Sequence, residues 1–341
     1  MNDNPPVMVV SRRRVLRIGF ALLLSTALHL PGIARAAADS AQPPRRVELM
    51  LVGFSPTSPE VQKFRQGLSD AGYVEGRDVI VSVRSAEGNY EAVRPMVAEL
   101  VRSKPDLIVV ENTLAVRAVK DATTTIPVVI AIAADPLGSG LVPNLSRPGG
   151  NVTGMSMMIT DLAAKRFQLL KEAMPHLKRL GILRDPAVPW HPKTSAQLAS
   201  LAQANGIEPI MADAHTSSET RKAISYLAKR RAQALYVLDN ALFYRNRAEI
   251  LQLCAKARIA AIYGYRDWAQ EGALLSYSAD FGEMFRRAAG YADRILKGSN
   301  AGELPIEQPT KFDLVVNLRT AKALGVRVPE SIMVQATEVI R

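Results

Sequence analysis

The chain has 341 residues with 43 Lys+Arg against 32 Asp+Glu, a formal charge of +11. That length exceeds what one simple core organises, so two domains are expected, and the charge raises nucleic acid or an anionic surface as partners. Basic residues are interleaved with acids, as in Lys171-Glu172, and the densest run, Lys229-Arg230-Arg231, falls at an expected helix end, where cations complement the dipole; nucleic acid is therefore excluded as an expected partner.

The N-terminus reads as an address. Paired arginines in Ser11-Arg12-Arg13-Arg14-Val15-Leu16-Arg17 precede an apolar run over 18–30, Pro31-Gly32 breaks it, and Ala34-Arg35-Ala36 has the small-x-small pattern of a cleavage site. The order of these residues resembles a twin-arginine export signal, with Val15 where Phe is commoner; a general secretory signal is the alternative. As a membrane anchor the run is too short, since a span needs roughly 20 apolar residues. Cleavage after Ala36 removes five arginines and one aspartate and leaves 305 residues of charge +7. The single cysteine, Cys254, cannot form an intramolecular disulfide and is not at the cleavage site to carry a lipid, so a soluble, unanchored periplasmic protein is expected. In its apolar helical surroundings, Cys254 is read as a buried, inert thiol.

After Gln42-Pro43-Pro44, strands and helices alternate. An apolar run over 47–52 precedes Ser58-Pro59, an N-cap and N1 proline, and Val61, Phe64, Leu68 and Ala71 then keep helical spacing up to Gly72. Val79, Val81 and Val83 alternate as a strand; 90–102 is helical, 107–110 a buried strand, 114–122 a helix and 128–132 another buried strand. The Gly/Pro-rich stretch over 135–151 is a loop leading to the first crossing between lobes. A second set follows, with helices over 161–173, 193–205, 217–229 and 245–257 and strands over 179–183, 208–211, 234–238 and 260–262. A strand over 273–277, a helix over Phe281–Leu296, a strand over 312–316 and helix-forming residues to Arg341 complete the chain. Buried strands alternating with helices argue for two doubly wound, parallel-sheet α/β lobes.

Six strings carry a resemblance. They are Phe64-Arg65-Gln66-Gly67-Leu68 with Ala71-Gly72-Tyr73-Val74-Glu75-Gly76; Arg147-Pro148-Gly149-Gly150-Asn151-Val152-Thr153-Gly154; Tyr291-Ala292-Asp293-Arg294-Ile295-Leu296-Lys297-Gly298; Gln308-Pro309-Thr310-Lys311-Phe312-Asp313-Leu314-Val315-Val316-Asn317; and Thr320-Ala321-Lys322-Ala323-Leu324-Gly325. In this order, over nearly all of the mature chain, they resemble the ABC-transporter substrate-binding family that includes tryptophan- and tyrosine-type receptors. The resemblance implies a type I periplasmic-binding-protein fold, joined by three hinge strands and closing on its ligand. It implies a first lobe of 45–153 plus 278–302 and a second of 154–277 plus 303–341. It also implies a monomeric receptor that delivers a small molecule, an amino acid or related zwitterion, to an ABC permease in the inner membrane. A periplasmic sensor and, less favoured, a periplasmic enzyme remain alternatives on the same lobes.

Catalytic signals are missing. His176, His191 and His215 are widely spaced; no Cys/His cluster has metal-ligand spacing, and there is no Gly-x-Ser-x-Gly elbow or phosphate loop, so neither catalysis, cofactor nor metal is expected. Open α/β sheets hold ligands beyond the carboxyl ends of their strands, which nominates particular residues. Phe54, Ser55, Thr57 and Ser58 follow the first strand, with plain capping the favoured reading of Ser58. Asn112 and Thr113 follow 107–110 at a helix start, and Asp135 follows 128–132, where Asp-Pro is also a common turn. In the second set Asp185 and Trp190, Asp239 and Asn240, and Tyr265 follow successive strands, and Asp280 follows 273–277. An ammonium buried in the cleft needs an acid; Asp280 and Asp239 are the preferred ones, with helix capping the alternative for Asp280. Ser55, Asn112 and Thr113 are donors for a carboxylate, and Trp190 and Tyr265 are stacking surfaces or packing aromatics.

N-terminal sequencing of the exported protein is expected to begin at Ala37, and Arg12→Lys with Arg13→Lys is expected to block export by the twin-arginine route. Unchanged export of the double variant identifies the general secretory route.

Overall fold

The first apolar run becomes β1 (Arg45–Leu51), buried from Val47 onward. This computed structural model describes residues 43–341, so the export signal and its cleavage site lie outside the described residues. Pro59 opens α1 (Pro59–Asp70), but Ser58 supplies no side-chain cap; its buried Oγ has no hydrogen-bond partner. Next come β2 (Val79–Ser85), a 3-10 turn at Tyr90–Ala92, α2 (Val93–Arg102), β3 (Leu107–Glu111), α3 (Thr113–Ala122), β4 (Val128–Ile132) and β5 (Val152–Gly154). The helix expected over 90–102 therefore begins as a tighter turn, and β5 is too short to show a pattern in sequence. These five strands form one parallel sheet in the order β2-β1-β3-β4-β5.

The second sheet begins after α4 (Ile159–Ala173). It is laid down by β6 (Arg179–Arg184), α5 (His191–Ala204), β7 (Glu208–Asp213), α6 (Ser217–Lys229), β8 (Ala234–Val237), α7 (Ala241–Arg245), α8 (Arg247–Ala257), β9 (Ala260–Tyr263), α9 (Arg266–Glu271) and β10 (Leu275–Ala279). The helix expected over 245–257 is interrupted at Asn246, which closes α7 and opens α8. The strand expected over 273–277 starts two residues later, after α9 turns at Gly272, whose φ is 133°. After α10 (Phe281–Leu296) come β11 (Phe312–Asn317), α11 (Leu318–Leu324), α12 (Glu330–Gln335) and β12 (Glu338–Ile340). The chain thus ends in a strand, not in the expected helix. The sheet order is β12-β11-β10-β9-β8-β6-β7, and β10–β11 is the one antiparallel pair among the described residues.

Each sheet is covered on both faces. In the first, α1 and α10 pack one face through Phe64, Leu68, Phe285 and Ala289, while α2 and α3 cover the other through Val97, Leu100, Val116 and Val119. In the second, α4 and α5 lie on one face, with α6 and α8 on the other, where Cys254 is buried. Burial pushes the Cys254 thiol up to about 12, so it stays protonated and unreactive. Three segments connect the lobes: one after β5, one between β10 and α10, and one before β11. They are hydrogen-bonded to each other and to β5, with Ser156 N donating to Glu307 O (2.8 Å), Glu307 N to Gly154 O (2.9 Å) and Asp280 N to Lys311 O (3.1 Å). No helix among the described residues is long and apolar enough to cross a membrane.

The α1–α10 contact depends on a glycine. A Cβ on Gly67 would sit 2.7 Å from the Ala289 Cβ and 2.7 Å from the Arg286 carbonyl oxygen. On an exposed helix face Gly→Ala gains about 1 kcal/mol; Gly67→Ala is expected instead to destabilise by about 1–3 kcal/mol through overpacking. Denaturant unfolding measures the sign.

Candidate functional site

The carboxyl ends of β1, β3 and β4 face those of β6, β8 and β9 across the cleft, and a cavity lies between them. From the first lobe it is lined by Gly53 and Phe54 after β1, by Glu111, Asn112 and Thr113 at the β3–α3 junction, and by Ala133 and Ala134 after β4. The second lobe brings Trp190, Asp239, Asn240, Tyr244 and Tyr265.

The β3–α3 junction is conformationally strained. Asn112 has φ 96° and ψ 132°, a region non-glycine residues rarely occupy, immediately after a register shift between Val110 and Glu111. It is held there by its own groups: Asn112 N donates to Ile132 O (2.9 Å), and its Oδ1 accepts from Leu114 N (2.9 Å), capping α3. Thr113 Oγ1 accepts from Ala134 N (2.9 Å), which ties the helix start to the strand beside it. The first-turn N–H groups of α3 thus sit at the cavity, where the helix dipole favours an anionic group. Glu111, 4% exposed, accepts from Val52 N (2.7 Å) and Gly53 N (2.9 Å), and burial pushes its carboxyl above the usual range.

On the other lobe, Asp239 lies two residues beyond β8 and its Oδ2 accepts from Arg166 Nη1 at 2.7 Å, the two side chains being 4% and 1% exposed. Arg166 Nε also donates to Tyr277 O (2.6 Å). Asp239 Oδ1 and Arg166 Nη2 have no hydrogen-bond partner, and the Trp190 indole Nε1 is likewise buried without one. His191 steadies the acid from behind. Its Nδ1 accepts from Asp185 N (2.9 Å), so Nε2 carries the proton and donates to Asp239 O (3.0 Å); burial lowers the ring's pKa and keeps it neutral. Asn240 Nδ2 donates to Asp185 Oδ2 (3.2 Å), and its Oδ1 caps α7.

The lobes are closed on each other. The Tyr90 hydroxyl, pushed up to about 12 by burial, accepts from Ala241 N across the cleft (3.2 Å). Phe54 packs against Tyr244 and Tyr265 with ring centroids 6.2 Å apart in both pairs, and Tyr265 lies 4.9 Å from Phe281. Asn112, Thr113, Trp190, Asp239, Asn240 and Tyr265, nominated from strand ends, are brought together here. Ser55 and Asp280 instead line a neighbouring groove beyond the aromatic contact, with Glu60, Asp267 and Asp313. Asp280 caps α10 through Glu283 N (2.9 Å). Thr57 is exposed beside Ser55, with their hydroxyls 3.0 Å apart, and Asp135 closes its own turn by accepting from Gly138 N (2.8 Å).

Glu111, Tyr90, Tyr244 and Arg166 were not nominated by the strand-end argument. Glu111 is the last residue of β3 itself rather than a residue beyond the strand. Arg166 did leave a signal, since it shares the apolar helical face of Leu162, Ala163, Phe167 and Leu170, where a lone charge demands a partner. Tyr90 and Tyr244 reach the cavity only because the lobes meet.

Removing one member of a buried ion pair strands the other. Arg166→Met is therefore expected to cost about 3–5 kcal/mol, and Arg166→Met with Asp239→Leu is expected to restore much of that stability. Urea denaturation of the two variants tests the coupling.

Residues 55–340 match the family model described as ABC transporter substrate binding protein. A tyrosine-binding protein of Clostridioides difficile (strain R20291) is 26% identical over 273 residues, covering 79% of this chain and 78% of its own length. Among solved structures, a conserved domain protein from Vibrio cholerae is 26% identical with a TM-score of 0.80, over 86% of this chain and 99% of that one. An ABC domain in complex with L-Trp from Streptococcus pneumonia is 22% identical with a TM-score of 0.80, over 87% and 100%. A ligand-free, open substrate-binding protein from Clostridium difficile is 23% identical with a TM-score of 0.65, over 87% and 99%. With two parallel-sheet lobes meeting over a cavity and a family match that runs from the loop after β1 to the last strand, this chain belongs to the ABC transporter substrate-binding protein family.

Proposed function

We propose that this protein is the extracytoplasmic receptor of an importer, a periplasmic monomer that holds an amino acid between its lobes and presents it to the permease. The observation that carries the reading is the cavity itself, where acids, a helix start and aromatic rings converge from two lobes. An amino acid needs an anion-binding group, a cation-binding group and a surface for its side chain. The first turn of α3 with Thr113 suits the carboxylate, Asp239 Oδ1 suits the ammonium, and Trp190, Tyr244 and Tyr265 suit the body of the ligand. Relatives whose names record tyrosine or L-Trp as ligand support the amino-acid class. The lobes in this reading comprise 45–153 with 278–302 and 154–277 with 303–341.

A ligand touching both lobes favours the closed form. Small-angle scattering is expected to show a smaller radius of gyration at saturating ligand, and the melting temperature is expected to rise. In calorimetry, Trp190→Ala is expected to weaken binding about 10- to 100-fold, by analogy with buried aromatic anchors, whereas Asp280→Asn keeps wild-type affinity because Asn caps a helix about as well as Asp. The reverse pattern moves the ligand into the groove beside Asp280.

A further inference from the structure

The charges around the cavity do not cancel. Asp239 is offset by Arg166 at 2.7 Å. Glu111 has no such partner: among the described residues no lysine, arginine or histidine forms an ion pair with it, and none lines the cavity. Its hydrogen bonds from Val52 N and Gly53 N both fall on Oε2, and the acid nearest in effect, Glu60, acts against its ionisation. The closed lobes thus hold one uncompensated carboxyl group that is 4% exposed. Backbone N–H donors favour its ionised form but burial opposes it, and a cation beside the carboxylate, or a proton on it, relieves that cost. Phe54 adjoins the Gly53 amide bound to Glu111, and the rings of Tyr244 and Tyr265 gather at Phe54 with centroids 6.2 Å away. These rings line the same cavity as Glu111, and aromatic groups that share a cavity with an acid attract an organic cation.

We propose that the ligand is an amino acid whose side chain is itself cationic, with that second cation paired to Glu111. The inference rests on the amino-acid reading above. The α-ammonium and α-carboxylate of such a ligand balance one another, and its side-chain ammonium or guanidinium balances Glu111, so the closed cavity becomes neutral. A ligand with an uncharged side chain leaves Glu111 buried without a counter-charge.

Titration calorimetry of the whole mature protein with L-arginine, L-lysine and L-ornithine, set against L-tyrosine, L-tryptophan and L-leucine, tests the assignment. The wild type is expected to bind at least one cationic amino acid ten-fold or more tightly than any of the neutral ones. Glu111→Gln retains an oxygen to accept from Val52 and Gly53, and it is expected to lose that preference while keeping or improving affinity for neutral amino acids. Circular dichroism and the melting temperature check that the variant folds. Neutral amino acids binding the wild type as tightly as the cationic ones overturn the assignment and leave the receptor reading intact. An equal loss of every ligand in folded Glu111→Gln also overturns it, making Glu111 a brace for the turn after β1. Absence of heat and of any thermal shift with all six overturns the amino-acid reading and this inference with it.

Discussion

An arginine with 1% of its side chain exposed needs a fixed negative partner, and much of the cleft is arranged around meeting that need. Arg166 sits on the first helix after the chain crosses between lobes. It reaches Asp239 just beyond β8 and the Tyr277 carbonyl of β10, so a single guanidinium links three parts of the cleft floor. Gly264, just after β9, leaves the room required: a Cβ there would meet Asp239 Oδ1 at 2.2 Å and Arg166 Nη2 at 2.5 Å. His191 adds a neutral imidazole that holds the Asp239 carbonyl from the opposite side. The acid is consequently positioned before any ligand arrives, and preorganisation of this kind reduces the ordering cost of binding.

The first lobe answers with strain rather than charge pairing. The unusual backbone of Asn112 turns the chain sharply at the end of β3, placing Glu111 on one side and the start of α3 on the other. Hydrogen bonds from Asn112 and to Thr113 fix that geometry against the neighbouring strand. Two half-sites of different character then meet through Tyr90, Phe54, Tyr244 and Tyr265. These contacts bury apolar rings only when the lobes close, which couples occupancy of the cavity to the arrangement of the whole molecule.

Much of the architecture was legible because its signals are local. Unalternating apolar strands, amphipathic helices, Pro59 at a helix start and Gly72 at a helix end each reflect the conformational limits of a few neighbouring residues. The short elements escaped for the same reason: β5 and β12, three residues each, have no period to read, and β12 forms only because β11 offers its edge. The break at Asn246 between α7 and α8 likewise lies within one continuous helical pattern.

The candidate site divides along a similar line. Strand ends by themselves pointed to Asn112, Thr113, Trp190, Asp239, Asn240 and Tyr265, since a parallel sheet places those positions at its functional edge whatever the tertiary detail. The same rule also nominated Ser55, Thr57, Asp135 and Asp280, because it specifies an edge and not a direction along it. Which of these residues share a cavity, that Asp280 turns inward to cap α10, and that Glu111 is left without a cation were decided only by tertiary structure. Distances between side chains separated by more than a hundred residues, such as Tyr90 and Ala241, arise from closure of two lobes, and no local pattern in the chain encodes them.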